Sequence, residues 1–136
     1  MITMPELLKS HKLEDLPAKH QYNLAVLLDR LNLVRAAYAF PMTVTSGYRS
    51  LEDHLRIYAA KGITDQSEIP MQSRHLTGEA CDVADSSGKL NQWCRDNEEY
   101  LRNVGIWLEK RQGNWQHFQI KPFGSYKPDG TIWFAP

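Results

Sequence analysis

The sequence predicts an α+β fold in which helices pack on one face of a small, mainly antiparallel sheet. Three observations support this prediction: a long stretch with apolar residues at helical spacing, several short β-prone segments, and turn residues between them. The chain has 136 residues, of which 42% are hydrophobic and 24% charged. These values are typical of one globular domain, here expected to span residues 1–136.

The helices are predicted from apolar periodicity and from residues that favour helix ends. A brief helix is expected within residues 1–16, and the first long helix over residues 17–39, where leucines recur along one stripe. Ser50 and Asp53 have the spacing of a capping box and open the next helix. A further helix is expected over residues 88–103.

The strands are short segments with alternating or continuous apolar residues, bounded by turn residues. The predicted strands cover residues 42–45, 80–84, 106–109, 115–120 and 131–134. The third and fourth of these are joined by a turn that contains Gly and Asn, which favours a hairpin. Residues 121–130 hold two prolines and two glycines and are predicted to be a loop.

Composition excludes several classes of protein. The 16 basic and 16 acidic residues give no net charge, so neither nucleic acid nor an anionic membrane is an expected partner. Cys81 and Cys94 are too few for a disulfide framework and are expected to be buried free thiols. The first twenty residues lack the apolar core of a signal peptide, and no segment is apolar enough to insert in a membrane. We therefore expect synthesis in the cytoplasm, with a monomer favoured.

One constellation of residues suits a metal ion. His75 and Asp82 are separated by Gly78, and alternation along the strand 80–84 places Asp82 opposite its apolar neighbours. His117 lies on a second alternating strand. Two imidazoles and a carboxylate can hold Zn²⁺ and leave its fourth position open to water. Taken singly, each residue has an ordinary alternative: a hydrogen-bonded histidine, or an aspartate that caps a turn.

Three motifs in this chain form a pattern found in a known family. Ser73 to Asp82 reads Ser-x-His-x-x-Gly-x-Ala-x-Asp, Trp115 to His117 reads Trp-x-His, and Ser-Gly-Tyr-Arg-Ser stands upstream at residues 46–50. Together they resemble the zinc D-alanyl-D-alanine carboxypeptidases and the phage L-alanyl-D-glutamate endopeptidases. Those enzymes share a fold with the hedgehog signalling domain, so the resemblance implies a hedgehog/DD-peptidase-like fold.

The resemblance also implies roles for individual residues. It implies that His75, Asp82 and His117 bind one Zn²⁺ and that Ser73 contacts substrate. Arg49 would hold either a substrate carboxylate or the developing oxyanion. The implied substrate is the peptide stem of peptidoglycan, cut at D-Ala-D-Ala or at L-Ala-D-Glu. A phage or prophage endolysin fits this reading, acting on the cell wall after release or export.

The general base is the point at which the chain departs from the family pattern. Several members place a carboxylate three residues before the last histidine, where this chain has Asn114. Others place a histidine five residues before it, where this chain has Gln112. Glu109 is the nearest upstream carboxylate and is the candidate base; the alternative is a solvated charge on the strand. Asn114 also leaves open a second hypothesis, a non-catalytic zinc module that binds wall peptides or a protein partner.

Overall fold

A five-stranded open sheet, mostly antiparallel, forms the centre of the fold. The computed structural model describes residues 1–122 and 131–136. The strand order is β1-β2-β4-β3-β5, and only the pairing of β3 with β5 is parallel among these strands. This confirms the predicted α+β class. The strands are β1 (Val44–Ser46), β2 (Ala80–Ala84), β3 (Trp107–Glu109), β4 (Trp115–Gln119) and β5 (Trp133–Phe134).

The helix α3 (Leu51–Ala60) begins after a residue that favours a helix start. Ser50 precedes α3, where its hydroxyl accepts the Asp53 N–H at 3.1 Å and the Asp53 carboxylate accepts the Ser50 N–H at 3.2 Å. This reciprocal pair confirms the predicted capping box. The helices are α1 (Met4–Leu8), α2 (Ala18–Tyr38), α3 (Leu51–Ala60), α4 (Lys89–Asp96) and α5 (Glu98–Val104).

The prediction of one helix over residues 88–103 is wrong. Asn97 interrupts it with a φ of −123° and a ψ of 33°, which separates α4 from α5. Its side chain donates a hydrogen bond to the Trp93 carbonyl at 2.8 Å. A short amide side chain that bonds to nearby backbone competes with the helical ladder, and this accounts for the break.

Smaller differences concern strand ends and one loop. β1 extends to Ser46, and the strand predicted at 131–134 is confined to Trp133–Phe134, at the sheet edge. Of the loop predicted over 121–130, residues 123–130 lie outside the described part of the chain.

The hydrophobic core lies between the sheet and α2. Leu24, Leu27 and Leu31 of α2 are fully buried, as is Phe118 of β4. Cys81 is also fully buried and is a free thiol, as predicted, and Cys94 is likewise buried and free. Since alternate residues of a strand face opposite sides, the neighbours of Cys81 and Phe118 point away from this core.

No helix among residues 1–122 and 131–136 has the length and apolar character required to span a bilayer.

Candidate metal centre

Asp82 and His117 are directly opposite one another on neighbouring strands. In the antiparallel pairing of β2 with β4, Asp82 aligns with His117 and Cys81 with Phe118. The first pair lies on the face away from the hydrophobic core. His117 Nδ1 is 2.9 Å from Asp82 Oδ1, and both residues are buried. Alternation predicted the face of Asp82, and the pairing of the two strands then holds an imidazole against this carboxylate.

His75 reaches the same carboxylate from a short 3₁₀ turn, Arg74–Thr77. Ser73 precedes the turn, and its hydroxyl accepts the His75 N–H at 3.3 Å. Gly78 ends the turn in the left-handed region at φ 77°, where a Cβ atom would lie 2.9 Å from the Leu24 side chain. Glycine is thus required by both conformation and space. His75 Nε2 lies 3.4 Å from Asp82 Oδ2.

The opposite nitrogen of His75 is held by the backbone of the upstream motif. His75 Nδ1 is 2.8 Å from the Gly47 carbonyl oxygen. Gly47 approaches the N-terminal segment so closely that a Cβ atom there would lie 2.1 Å from the Leu7 carbonyl oxygen. The Tyr48 N–H donates to that same Leu7 carbonyl at 2.8 Å. Residues before α2 therefore help to set the position of the His75 ring.

His75, Asp82 and His117 form a compact set of donor atoms. One candidate ligand atom from each residue lies within 4.8 Å of those from the other two, and all three residues are buried. Two imidazole nitrogens and one carboxylate oxygen match the donors that zinc prefers in catalytic sites. The structure thus brings together the three residues that were predicted as ligands from the sequence. Their donor set fits Zn²⁺.

The charges in this cluster depend on one another. Burial alone would raise the pKa of Asp82, but the hydrogen bond with His117 and the nearby His75 ring hold it well below its usual range. Burial would lower the pKa of His117, yet the Asp82 carboxylate raises it. For His75, burial dominates and lowers the pKa in spite of Asp82. Asp82 is therefore ionised, and His75 is a neutral imidazole with a lone pair to donate.

Arg49 lies at the edge of the cluster with its guanidinium group held on three sides. Its Nη2 is 3.8 Å from Asp82 Oδ2, and its Nε donates to the Ser46 hydroxyl at 3.1 Å. Its Nη1 is 3.4 Å from His54 Nδ1, and its backbone N–H donates to the His75 carbonyl at 3.0 Å. A largely buried cation is thus fixed beside the three candidate ligands, at the end of β1 where the sequence predicted it.

Glu109 lies on the same face of the sheet as His117. Leu108 aligns with Phe118 in the antiparallel pairing of β3 with β4, so the next step of the register sets Glu109 across from His117. Burial raises the pKa of Glu109, opposed by the nearby His117 and reinforced by the Asp82 charge. Glu109 is half-buried, which disfavours the alternative of a fully solvated strand charge.

The family positions for a base lie outside the cluster. Asn114 and Gln112 are both exposed, in the segment between β3 and β4. The Asn114 carbonyl accepts the Asp85 N–H at 2.8 Å, which is a structural contact. Ser73, the predicted substrate contact, is half-buried beside His75.

Two residues of α3 also belong to this neighbourhood, although no motif in the sequence indicated a role for them there. His54 is fully buried, and its Nε2 donates to the Pro70 carbonyl at 2.9 Å while its Nδ1 faces Arg49. Tyr58 packs its ring on His54 at 5.0 Å. Burial raises the pKa of Tyr58, modified by the charges of Arg49, Glu109 and Asp82. Their i, i+4 spacing was the only available signal, and it also fits an ordinary helix face.

A pocket of about 200 Å³ has Arg49 in its lining. Its lining carries three cations and one carboxylate, together with backbone of the Ser-Gly-Tyr-Arg motif. The charged residues of the lining are Lys9, Arg49, Asp53 and Arg56. This pocket offers room for a polar group next to the candidate metal centre.

Comparison with known proteins agrees with this geometry. The site has the donor set of a metallopeptidase, on a mixed α+β fold. The family model described as peptidase M15 matches residues 2–118, which include all three candidate ligands. The chain therefore belongs to the peptidase M15 family, a family of metallopeptidase hydrolases related to D-Ala-D-Ala carboxypeptidases and endopeptidases. Comparison with curated proteins gives no match.

Proposed function

We propose that this protein is a zinc-dependent peptidase that hydrolyses the peptide stems of peptidoglycan. The observation that carries the proposal is the buried set of His75, Asp82 and His117 within a region that matches the M15 family. Burial of an ionised carboxylate between two imidazoles is costly unless the charge is used or compensated. Arg49 and His117 already compensate part of this charge, and a divalent cation would add to them and account for the convergence of two imidazoles on one carboxylate.

In this proposal His75, Asp82 and His117 hold the zinc ion. A zinc ion at such a site lowers the pKa of a water molecule towards ~7 and polarises a carbonyl oxygen. Asp82 is ionised and His75 is neutral, so both are ready to donate lone pairs. His117 must give up a proton first, since Asp82 raises its pKa. Metal affinity is therefore expected to fall as the solution becomes more acidic.

Glu109 is the group that we assign to proton transfer. It is half-buried on the face of His117, and burial raises its pKa, which brings a carboxylate closer to the range of an effective general base. Glu109 would accept a proton from the attacking water at a carboxylate oxygen. It would then deliver that proton to the nitrogen of the leaving amine.

Arg49 supplies positive charge that is already in position. Its contacts with Ser46 and His54 hold the guanidinium group, so little reorganisation is needed when substrate arrives. Arg49 either stabilises the oxyanion that develops on the scissile carbonyl or binds a terminal carboxylate of the substrate. The second role favours carboxypeptidase action. Ser73, beside His75, is the proposed substrate contact.

The substrate class rests on the family resemblance, and the pocket beside Arg49 supports it. Stem peptides carry free carboxylates, and the pocket lining holds three cations against one carboxylate, Asp53, which pairs with Arg56 at 2.9 Å. Both the D-Ala-D-Ala and the L-Ala-D-Glu bond are candidates for cleavage. We further propose an endolysin role in which the protein is made in the cytoplasm, without membrane insertion, and reaches the wall on release or export.

A digest of purified peptidoglycan tests this function. Zinc-loaded protein is incubated with walls of several chemotypes, and mass spectrometry identifies the released peptides, with His117→Ala as the control. Free D-alanine would indicate a carboxypeptidase, and new D-Glu amino termini an endopeptidase. Bound zinc with no release from any wall would contradict the peptidase proposal and favour the non-catalytic binding module.

A further inference from the structure

Gln119 is a buried amide two residues beyond His117, on the same face of β4. It is 3% exposed, and its Oε1 lies 2.8 Å from His117 Nε2. Its Nε2 donates to the Lys121 carbonyl at 2.6 Å. Neither the sequence motifs nor the family resemblance assigned this residue a role.

The Lys121 carbonyl decides which end of the Gln119 amide faces the imidazole. A carbonyl oxygen can only accept, so the NH₂ group of Gln119 faces Lys121 and its oxygen faces His117. The amide oxygen also only accepts, and the facing Nε2 of His117 must therefore carry a hydrogen. The lone pair of the neutral ring is then on Nδ1, the nitrogen that lies 2.9 Å from Asp82.

His75 is oriented in the same way, by a hydrogen-bond acceptor that faces the ring nitrogen directed away from Asp82. The Gly47 carbonyl lies 2.8 Å from His75 Nδ1 and can only accept, so the lone pair of His75 is on Nε2, towards Asp82. The two rings thus present different nitrogens to one carboxylate. Behind each ring stands a fixed acceptor: a backbone carbonyl for His75 and a side-chain amide for His117.

We propose that Gln119, oriented by the Lys121 carbonyl, is a positioning residue that holds His117 with Nδ1 directed at the metal. The inference rests on the proposed metal site and adds to it a residue that never touches the ion. Groups that accept a hydrogen bond from the far nitrogen of a ligating histidine fix its tautomer and ring orientation. Their loss typically costs about 10- to 100-fold in metal affinity.

The test compares two glutamines of the same strand. Gln119→Leu removes the acceptor behind His117, whereas Gln116→Leu removes a buried glutamine from the opposite face of β4. Zinc affinity is measured by competition with a chromogenic chelator at fixed pH, after thermal unfolding of the metal-free proteins has shown that both fold. We expect Gln119→Leu to bind zinc at least about 10-fold more weakly, and Gln116→Leu to bind like the natural chain.

Two further measurements separate positioning from simple packing. Gln119→Glu keeps an acceptor oxygen opposite Nε2 but loses the donor to the Lys121 carbonyl, so it is expected to recover only part of the affinity lost in Gln119→Leu. Nitrogen-15 NMR of the natural, zinc-loaded protein should show His117 protonated at Nε2 and ligating through Nδ1, and His75 in the reverse arrangement. This measurement needs no variant, so it decides the question even where a substitution prevents folding.

Three results would overturn the inference while leaving the metal site intact: zinc ligation by His117 Nε2, unchanged affinity in Gln119→Leu, or equal losses in Gln119→Leu and Gln119→Glu. Failure of the natural chain to bind zinc at all would instead overturn the proposed metal site, and this inference with it.

Discussion

The two faces of β4 hold buried polar groups in opposite ways. On one face, Gln116 is fully buried, accepts a hydrogen bond from the Asn91 side chain at 2.7 Å, and donates to backbone carbonyls. On the other face, His117 meets the Asp82 carboxylate, with Arg49 and His75 close by. The first face pairs neutral amides, and the second collects groups that carry or change charge.

This difference separates a structural polar contact from a chemical one. The groups of this amide pair bond to each other, to backbone carbonyls and to Arg95, so the pair needs no bound ion. A carboxylate between two imidazoles and a guanidinium has strongly shifted pKa values, which is typical of functional sites. Substitutions on the two faces should therefore give different results: loss of stability on the Gln116 face, and loss of metal and activity on the His117 face.

The largest effect is expected from removal of a candidate ligand. His75→Ala and His117→Ala should each abolish stoichiometric zinc binding and reduce peptide release to background, because two remaining protein ligands hold zinc poorly. Zinc content by elemental analysis and a peptidoglycan digest measure this. Gln116→Leu is the control and should retain both zinc and turnover. Full activity in His75→Ala would contradict the site.

Glu109→Gln should reduce kcat by about 100- to 10,000-fold, the usual contribution of a positioned acid or base. Zinc content and KM should change little, because an amide fits the same space and the ligands are untouched. Initial rates with a synthetic stem peptide give both constants. Since burial raises the pKa of Glu109, the acidic limb of the natural pH–rate profile should lie above the usual carboxyl range. If the variant turned over substrate at the natural rate, Glu109 would not be the general base.

Arg49→Lys should lower kcat/KM by at least about 10-fold, since a lysine cannot reproduce a planar group that contacts Ser46 and His54. The two candidate roles of Arg49 predict different kinetic effects. An oxyanion role lowers kcat for every substrate, whereas a carboxylate-binding role raises KM only for substrates with a free carboxyl terminus. Kinetics on a peptide and on its C-terminal amide distinguish the two roles. If Arg49→Lys had the same kcat/KM as the natural chain on both substrates, both roles would be excluded.

On the Gln116 face, the expected effect is on stability. Gln116→Leu leaves the Asn91 side-chain N–H without its acceptor and should cost about 1–3 kcal/mol in the free energy of unfolding. Denaturant unfolding measures this. The double variant with Asn91→Leu should recover part of the loss, because both polar partners are then removed together. If Gln116→Leu lost as much zinc affinity as Gln119→Leu, the separation of the two faces would be contradicted.

The smallest effect concerns a second imidazole–carboxylate pair, nearer the surface. His11 and the Ser50 backbone hold the pKa of Asp53 at about 2, against an ordinary 3.8, although burial opposes them. The folded-state pKa is the lower one, so this stability is present above about pH 4 and is lost as the pH falls towards about 2. Acid unfolding of Asp53→Asn should depend less on pH in that window. His11→Gln should show part of this flattening, because the Ser50 hydrogen bonds remain, and an unaltered profile in both variants would refute the pair.

Local sequence signals predicted much of the fold. Leucines at helical spacing predicted α2, and the capping box of Ser50 and Asp53 predicted the start of α3. The strand 80–84 was predicted with its observed bounds. The break at Asn97 was missed because a side chain that bonds its own helix backbone leaves no clear mark in apolar periodicity.

For the site, the motifs predicted the three residues that the fold brings together, and alternation predicted that Asp82 lies opposite its apolar neighbours. The contacts behind them could not be predicted. The Gly47 carbonyl behind His75 and the Lys121 carbonyl behind Gln119 belong to the backbone. Every residue has a backbone carbonyl, so the sequence does not indicate which carbonyl will accept a hydrogen bond from a given side chain. His54 and Tyr58 join the neighbourhood through tertiary packing of α3, which helical spacing alone does not reveal.

The most direct test of the metal centre is the zinc stoichiometry of the natural chain beside that of His117→Ala, both purified without metal and then titrated. We expect one zinc ion per natural chain and none held stoichiometrically by the variant, with both proteins folded. No zinc in the natural chain, or one ion in both, would contradict a metal centre built from His75, Asp82 and His117.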